Sequence, residues 1–201
     1  MNFKPQNNKH QKNKHQNSTP QAEVSVTPLQ RYRRLLNAML FQLGWWTCVL
    51  MGQGPGLLLA LALVGVHLAL WGSVAETRLL FKVALLGSLI DTGLMHLGVI
   101  TFPDWEAAWI PPWLMLLWLL FATTLRHALD WLAPHPALAA GLGALGGASS
   151  YWAGGTLGAA ALPLGAVWSI LIFGFIWALL TPALLRYAHS GQQTPSAESN
   201  H

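Results

Sequence analysis

The chain has 201 residues and a formal net charge of +4; 53% of its residues are hydrophobic and only 9% are charged. Soluble domains carry roughly 25% charged residues, so a water-facing globule is excluded, as is bulk disorder, which needs low hydrophobicity and high charge. A single cysteine, Cys48, excludes an internal disulfide scaffold, and an all-α polytopic transmembrane helical bundle is the class that remains.

In chain order, residues 1–34 predict a disordered basic cytoplasmic tail, polar and rich in Asn, Gln, His and Lys over Asn2–Gln21. No apolar stretch and small-residue cleavage site follow its basic start, so it does not read as a signal peptide. A bilayer-spanning helix needs about 20 apolar residues. Six segments in residues 35–187 meet or approach that length: Leu35–Gly52, Leu57–Val74, Lys82–Phe102, Pro112–Trp131, Ala137–Leu157 and Pro163–Tyr187. Gly52-Gln53-Gly54-Pro55-Gly56 breaks the first from the second. Ala75–Phe81 reads as a short charged loop, Pro103–Pro111 as a loop with Asp104 and Glu106, and Ala133-Pro134-His135-Pro136 as a turn. Residues 188–201 form a second disordered cytoplasmic tail.

Cationic residues set orientation. With the N-terminus in the cytoplasm, the tail holds Lys4, Lys9, Lys12, Lys14, Arg31, Arg33 and Arg34, and later inner segments hold Arg78, Lys82, Arg126 and Arg186. All eleven Lys and Arg then lie inside, which predicts six spans with both ends in the cytoplasm and a multi-pass protein of the bacterial inner (cytoplasmic) membrane. The lipid bilayer is the expected partner, with a membrane-protein partner or a homodimer beside it. No nucleic-acid partner is expected, because the basic residues sit in an unfolded tail rather than on a folded face with stacking aromatics.

The fifth span is rich in glycine. Gly143 with Gly147, and Gly154 with Gly158, are small-xxx-small pairs that let helix backbones approach closely. They mark this helix as a central packing element, or as a homodimer face. Gly141, Gly143 and Gly146 match a dinucleotide-type glycine pattern, but no strand precedes them and no acidic residue follows at the required distance. No cofactor is expected.

Several motifs resemble a known family. Phe41-Gln42-Leu43-Gly44-Trp45-Trp46-Thr47-Cys48-Val49-Leu50 is similar to the opening motif of the DUF2878 family of bacterial integral membrane proteins. So are Asp91-Thr92-Gly93-Leu94 followed by Gly98–Phe102, and Pro112-Trp113 through Leu117-Trp118 with Phe121–Leu125 and His127. Gly146-Gly147 with Ser150-Tyr151 and Gly154 completes the order. The resemblance covers about residues 35–187 and leaves the N-terminal tail outside. It implies a membrane topology rather than a reaction, together with an association with fatty-acid-modifying enzymes.

Polar residues inside the spans are the functional lead, because ionisable groups there are costly and face the bundle interior or water. The candidate site comprises Gln42, His67, Asp91, Thr123, Thr124, Arg126 and His127, with Asn37 beside them. At about 1.5 Å per residue, Asp91 lies roughly 13 Å from the inner end, with Gln42, His67, Thr123 and Thr124 near the same layer. Arg126 is expected to snorkel or to reach Asp91, so Asp91 reads either as half of a buried pair with Arg126 or His67 or as a functional carboxylate. His67 reads first as a hydrogen-bonded core histidine. His127 and Asp130 share a face at i and i+3, and both are expected to be interfacial. The spacing contains no HExxH or CxxC motif, so no metal site is expected. Three function classes fit: a protein associated with membrane lipid or fatty-acid modification, a small-molecule or lipid carrier, and a structural scaffold subunit of a membrane complex.

Overall fold

A computed structural model describes residues 1, 27–103 and 105–190. Residues 2–26 and 191–201, which hold most of the two expected tails, and Asp104 of the expected outer loop lie outside the described residues. The described residues form six α-helices and one 3-10 turn, and no strand.

Helix α1 runs Pro28–Met51 and begins ahead of the expected Leu35. Thr27 caps it: its hydroxyl accepts from Gln30 N at 3.3 Å while Gln30 Oε1 accepts from Thr27 N at 3.0 Å. Proline at the first helical position, with its fixed φ, completes that start. Helix α2 spans Pro55–Trp71. Helix α3 spans Val74–His96, so the expected loop Ala75–Phe81 is instead its first turns. Ser73 Oγ accepts from Glu76 N at 3.0 Å and caps it. The charges there do not break the helix, because Arg78 and Lys82 point outward and Glu76 is buried among partners. The helix ends at His96 rather than Phe102. Gly98, at φ 70°, turns the chain into a bridge in which Thr101 and Ala161 exchange both backbone hydrogen bonds.

Helix α4, Pro112–Thr124, stops short of the expected Trp131. The Thr123 and Thr124 hydroxyls turn back to Leu120 O and Phe121 O, each at 2.7 Å, and the chain continues through a 3-10 turn at Asp130–Leu132. Thirteen residues rise about 20 Å. Helix α5 spans Pro136–Thr156 and α6 spans Ala166–Ser190. The latter starts after the expected Pro163 because Gly165, at φ 80°, closes the preceding turn.

Helix α4 packs against α1, α2 and α3, and α5 pairs with α6. The central place expected for α5 therefore belongs to α4. The glycine pairs also separate. A Cβ at Gly143 would overlap Thr181, and one at Gly147 would overlap the Trp177 ring, so these two residues seat α6 on α5. Gly154 would meet nothing, and Gly158 sits beyond the helix at φ 81°. A glycine unforeseen from the sequence, Gly87 on α3, makes room for the Trp118 ring. Trp118 in turn stacks on Trp177 at 5.2 Å and 5°. Two glycines on different helices thus flank a pair of stacked indoles that ties α3, α4, α6 and α5 together.

Side-chain contacts place the helix ends. Arg34 of α1 meets Asp130 past α4, Glu76 of α3 meets Arg126, and Arg126 Nε donates to Ala188 O of α6 at 2.8 Å. At the other end, His96 meets Ala108 and Thr101 pairs with Ala161. The outer surface is apolar, with Leu43, Leu58, Phe81, Leu89 and Phe175 exposed, while Asn37, His67, Glu76, Asp91, Thr123 and Thr181 are buried. Exposed apolar surface on this scale marks contact with something other than water. Two helices, α3 and α6, are long and apolar enough to cross a membrane, with mean hydropathies of 1.4 and 2.0 over 18 residues.

Candidate functional site

Polar side chains gather in two places. The first is the charged end of the bundle. Glu76, on the first turn of α3, presents Oε1 to His67 Nε2 of α2 at 3.3 Å and to His127 Nε2 at 3.4 Å. Its other oxygen, Oε2, accepts from Arg126 Nη1 at 3.3 Å. Only 4% of the Glu76 side chain is exposed. A buried charge needs such partners, and here each oxygen has its own. Asn37 of α1 locks the rear. Its Oδ1 accepts from Ala128 N and its Nδ2 donates to Thr123 O, both at 3.2 Å, so the amide cannot be turned round. The amide's second N–H then faces His67 Nδ1 at 3.3 Å. That nitrogen is therefore the acceptor, and His67 Nε2 carries the proton donated to Glu76. The Trp71 ring stands 5.3 Å from each imidazole and walls the group.

The second place is deeper. Asp91 of α3 is buried, and the Tyr151 hydroxyl of α5 lies 2.7 Å from both of its oxygens, while Trp118 Nε1 of α4 donates to Oδ2 at 2.7 Å. The expected partners Arg126 and His67 are not there; both belong to the Glu76 group. Arg126 lies past the end of α4, and the shortness of that helix keeps it away from Asp91. Asp91 instead joins three helices through neutral donors. Asp91→Asn retains the shape but turns an NH2 toward one of the two donors. We expect it to cost about 1–3 kcal/mol, the scale for leaving a buried polar group unsatisfied, read as a lowered thermal midpoint of the purified protein in detergent. Tyr151→Phe should cost less, because Trp118 still donates.

Beside this network lies a cavity of about 690 Å³ between α1, α4, α5 and α6. It is elongated. Trp131, Leu132 and Thr124 line it near the charged end, and Ile100 and Ala160 line it near the other. Its walls are mainly apolar and aromatic, with Tyr151 and Ser150 among the few polar groups. Trp45 Nε1 donates to Ser150 Oγ at 2.8 Å, tying α1 to α5 across it.

The expected single layer of polar residues thus divides. His67, Arg126, His127 and the Thr123 carbonyl join at the charged end, Asp91 stands apart, and Gln42 is exposed on the cavity wall. Thr124 turns its hydroxyl back to its own helix. His127 and Asp130 lie beyond α4 and take different partners, Glu76 and Arg34. The residue that organises the first group, Glu76, was hidden in the expected charged loop. Ser73-Val74-Ala75-Glu76 has the Ser-x-x-Glu spacing of a helix start, and that signal places Glu76 one turn into a helix. Trp118 stands in the family-like motif of α4, but nothing in the sequence marks it as a partner of Asp91.

No curated protein and no solved structure matches the chain. The family model described as a protein of unknown function, DUF2878, matches residues 34–183. That match covers most of α1, all of α2 to α5 and most of α6, with both polar groups and the cavity, and the chain belongs to the DUF2878 family.

Proposed function

We propose that this chain is a six-span protein of the bacterial inner membrane, with both ends in the cytoplasm, that holds a lipid acyl chain in the cavity between α1, α4, α5 and α6 in the service of lipid or fatty-acid modification. The cavity carries the reading. It is long, mainly apolar and within the 300–1,000 Å³ typical of ligand pockets. Its few polar groups suit a chain with one polar head better than a compact polar solute. The threading is supported by the placement of every Lys and Arg on inner segments and by the apolar outer surface. A carrier of the same occupant uses the same cavity, whereas a scaffold subunit has no need of it.

Gly146 gives the test. It lines the cavity, and a Cβ there meets nothing within 4 Å. Gly146→Phe therefore fills the space without disturbing the helix pair. A photoactivatable fatty acid fed to cells should label the wild-type chain on peptides from α1, α4 or α5, and labelling should fall at least about tenfold in Gly146→Phe. Equal labelling of both would overturn the reading.

A further inference from the structure

We infer that His67, Glu76 and His127 form a binding site for one divalent transition-metal ion, a site that does not depend on the cavity. Among the described residues these three are the group whose ligand atoms all lie within 4.8 Å of one another. Two imidazole nitrogens and one carboxylate oxygen are a set that zinc-class ions take, and three protein ligands leave a coordination position open for water or substrate.

Three details favour an ion over an ordinary hydrogen-bonded cluster. Both histidines place Nε2 beside the same oxygen, Oε1, at 3.3 and 3.4 Å. Those spacings match the edges of a tetrahedron with bonds of about 2.0–2.2 Å. The other oxygen is held away by Arg126, which leaves Glu76 as a one-oxygen ligand with its own outer hydrogen bond, as metal-bound carboxylates have. Finally, His127 Nε2 is buried yet makes no hydrogen bond. It lies near the carboxylate but is not aimed at it, as a ligand aimed at a shared centre would be. The three residues come from α2, α3 and the segment after α4, so an ion would tie the α2–α3 corner to the chain beyond α4.

One contact opposes binding. Asn37 donates to His67 Nδ1, which keeps the proton on Nε2. Metal entry shifts that proton to Nδ1, which gives up this 3.3 Å contact and leaves two N–H groups, those of His67 and Asn37, facing each other. Three coordinate bonds outweigh the lost hydrogen bond and the donors it leaves unpaired.

The test uses the full chain in detergent, stripped with a chelator and dialysed, with Zn²⁺ as the probe. One Zn²⁺ per chain should bind, and His127→Ala and Glu76→Gln should each weaken binding at least about 100-fold. The pair His10→Ala and His15→Ala, and His96→Ala, which removes a histidine bonded to Ala108 O at 2.8 Å, should leave it unchanged. X-ray absorption of the wild-type complex should show two imidazoles, a readout that needs no variant to fold. No stoichiometric Zn²⁺ on folded wild type, or a loss that follows the tail histidines instead, would overturn the inference.

Discussion

Gly147→Leu should leave little folded protein. A Cβ at this position already overlaps the Trp177 ring, and that ring has nowhere to go. It is stacked on Trp118 at 5.2 Å and meets the Phe121 ring edge-on at 4.9 Å. Trp118 is itself closed in by Gly87 and bonded to Asp91. Overpacking a tight core costs roughly 1–3 kcal/mol and sometimes more. The stacked pair makes the upper end the expectation here, about 3 kcal/mol. The thermal midpoint and the monodisperse fraction on size exclusion in detergent would both fall. Gly146→Leu, one residue away and facing open space, should change neither.

Glu76→Gln is expected to be nearly as damaging, for a different reason. The side chain keeps its shape and loses its charge. Among the described residues Arg126, with 12% of its side chain exposed, then has no anion within reach, and the one acceptor oxygen of a glutamine amide cannot serve both Arg126 and His67. Removing one partner of a buried ion pair costs about 3–5 kcal/mol. Arg126 keeps some contact with water and its bond to Ala188 O, which puts the expectation near 3 kcal/mol. A double-mutant cycle with Arg126→Gln checks the cause. If the pair sets the cost, the double variant recovers a large part of the loss; if the two losses simply add, the pair is not what matters.

Which parts of this arrangement were legible in the sequence follows from their physics. Apolar length and breakers such as Gly52–Gly56 are local, and they gave the count and order of the helices. Helix ends depend on caps and on what buries the flanking polar groups. Hence α3 begins at Val74, its charges paired or outward, and α4 ends at Thr124 where its hydroxyls turn inward. Asp91, His67 and His127 stood out because a charge or imidazole in an apolar run is conspicuous. How they pair did not, since Tyr151 lies 60 residues from Asp91, and Arg126, itself conspicuous, meets Glu76 50 residues away rather than Asp91. Gly143 and Gly147 showed themselves by spacing, whereas Gly87 matters only because Trp118 of another helix lies over it.

Thiol accessibility in intact cells tests directly how the helices thread the bilayer. In a Cys48→Ser background, single cysteines replace Gln53, between α1 and α2, and Pro134, between the 3-10 turn and α5. With a membrane-impermeant maleimide, the position-53 cysteine should label in intact spheroplasts, while the position-134 cysteine should label only after lysis. The reverse pattern, or equal labelling of both before lysis, would contradict six crossings with the charged end facing the cytoplasm.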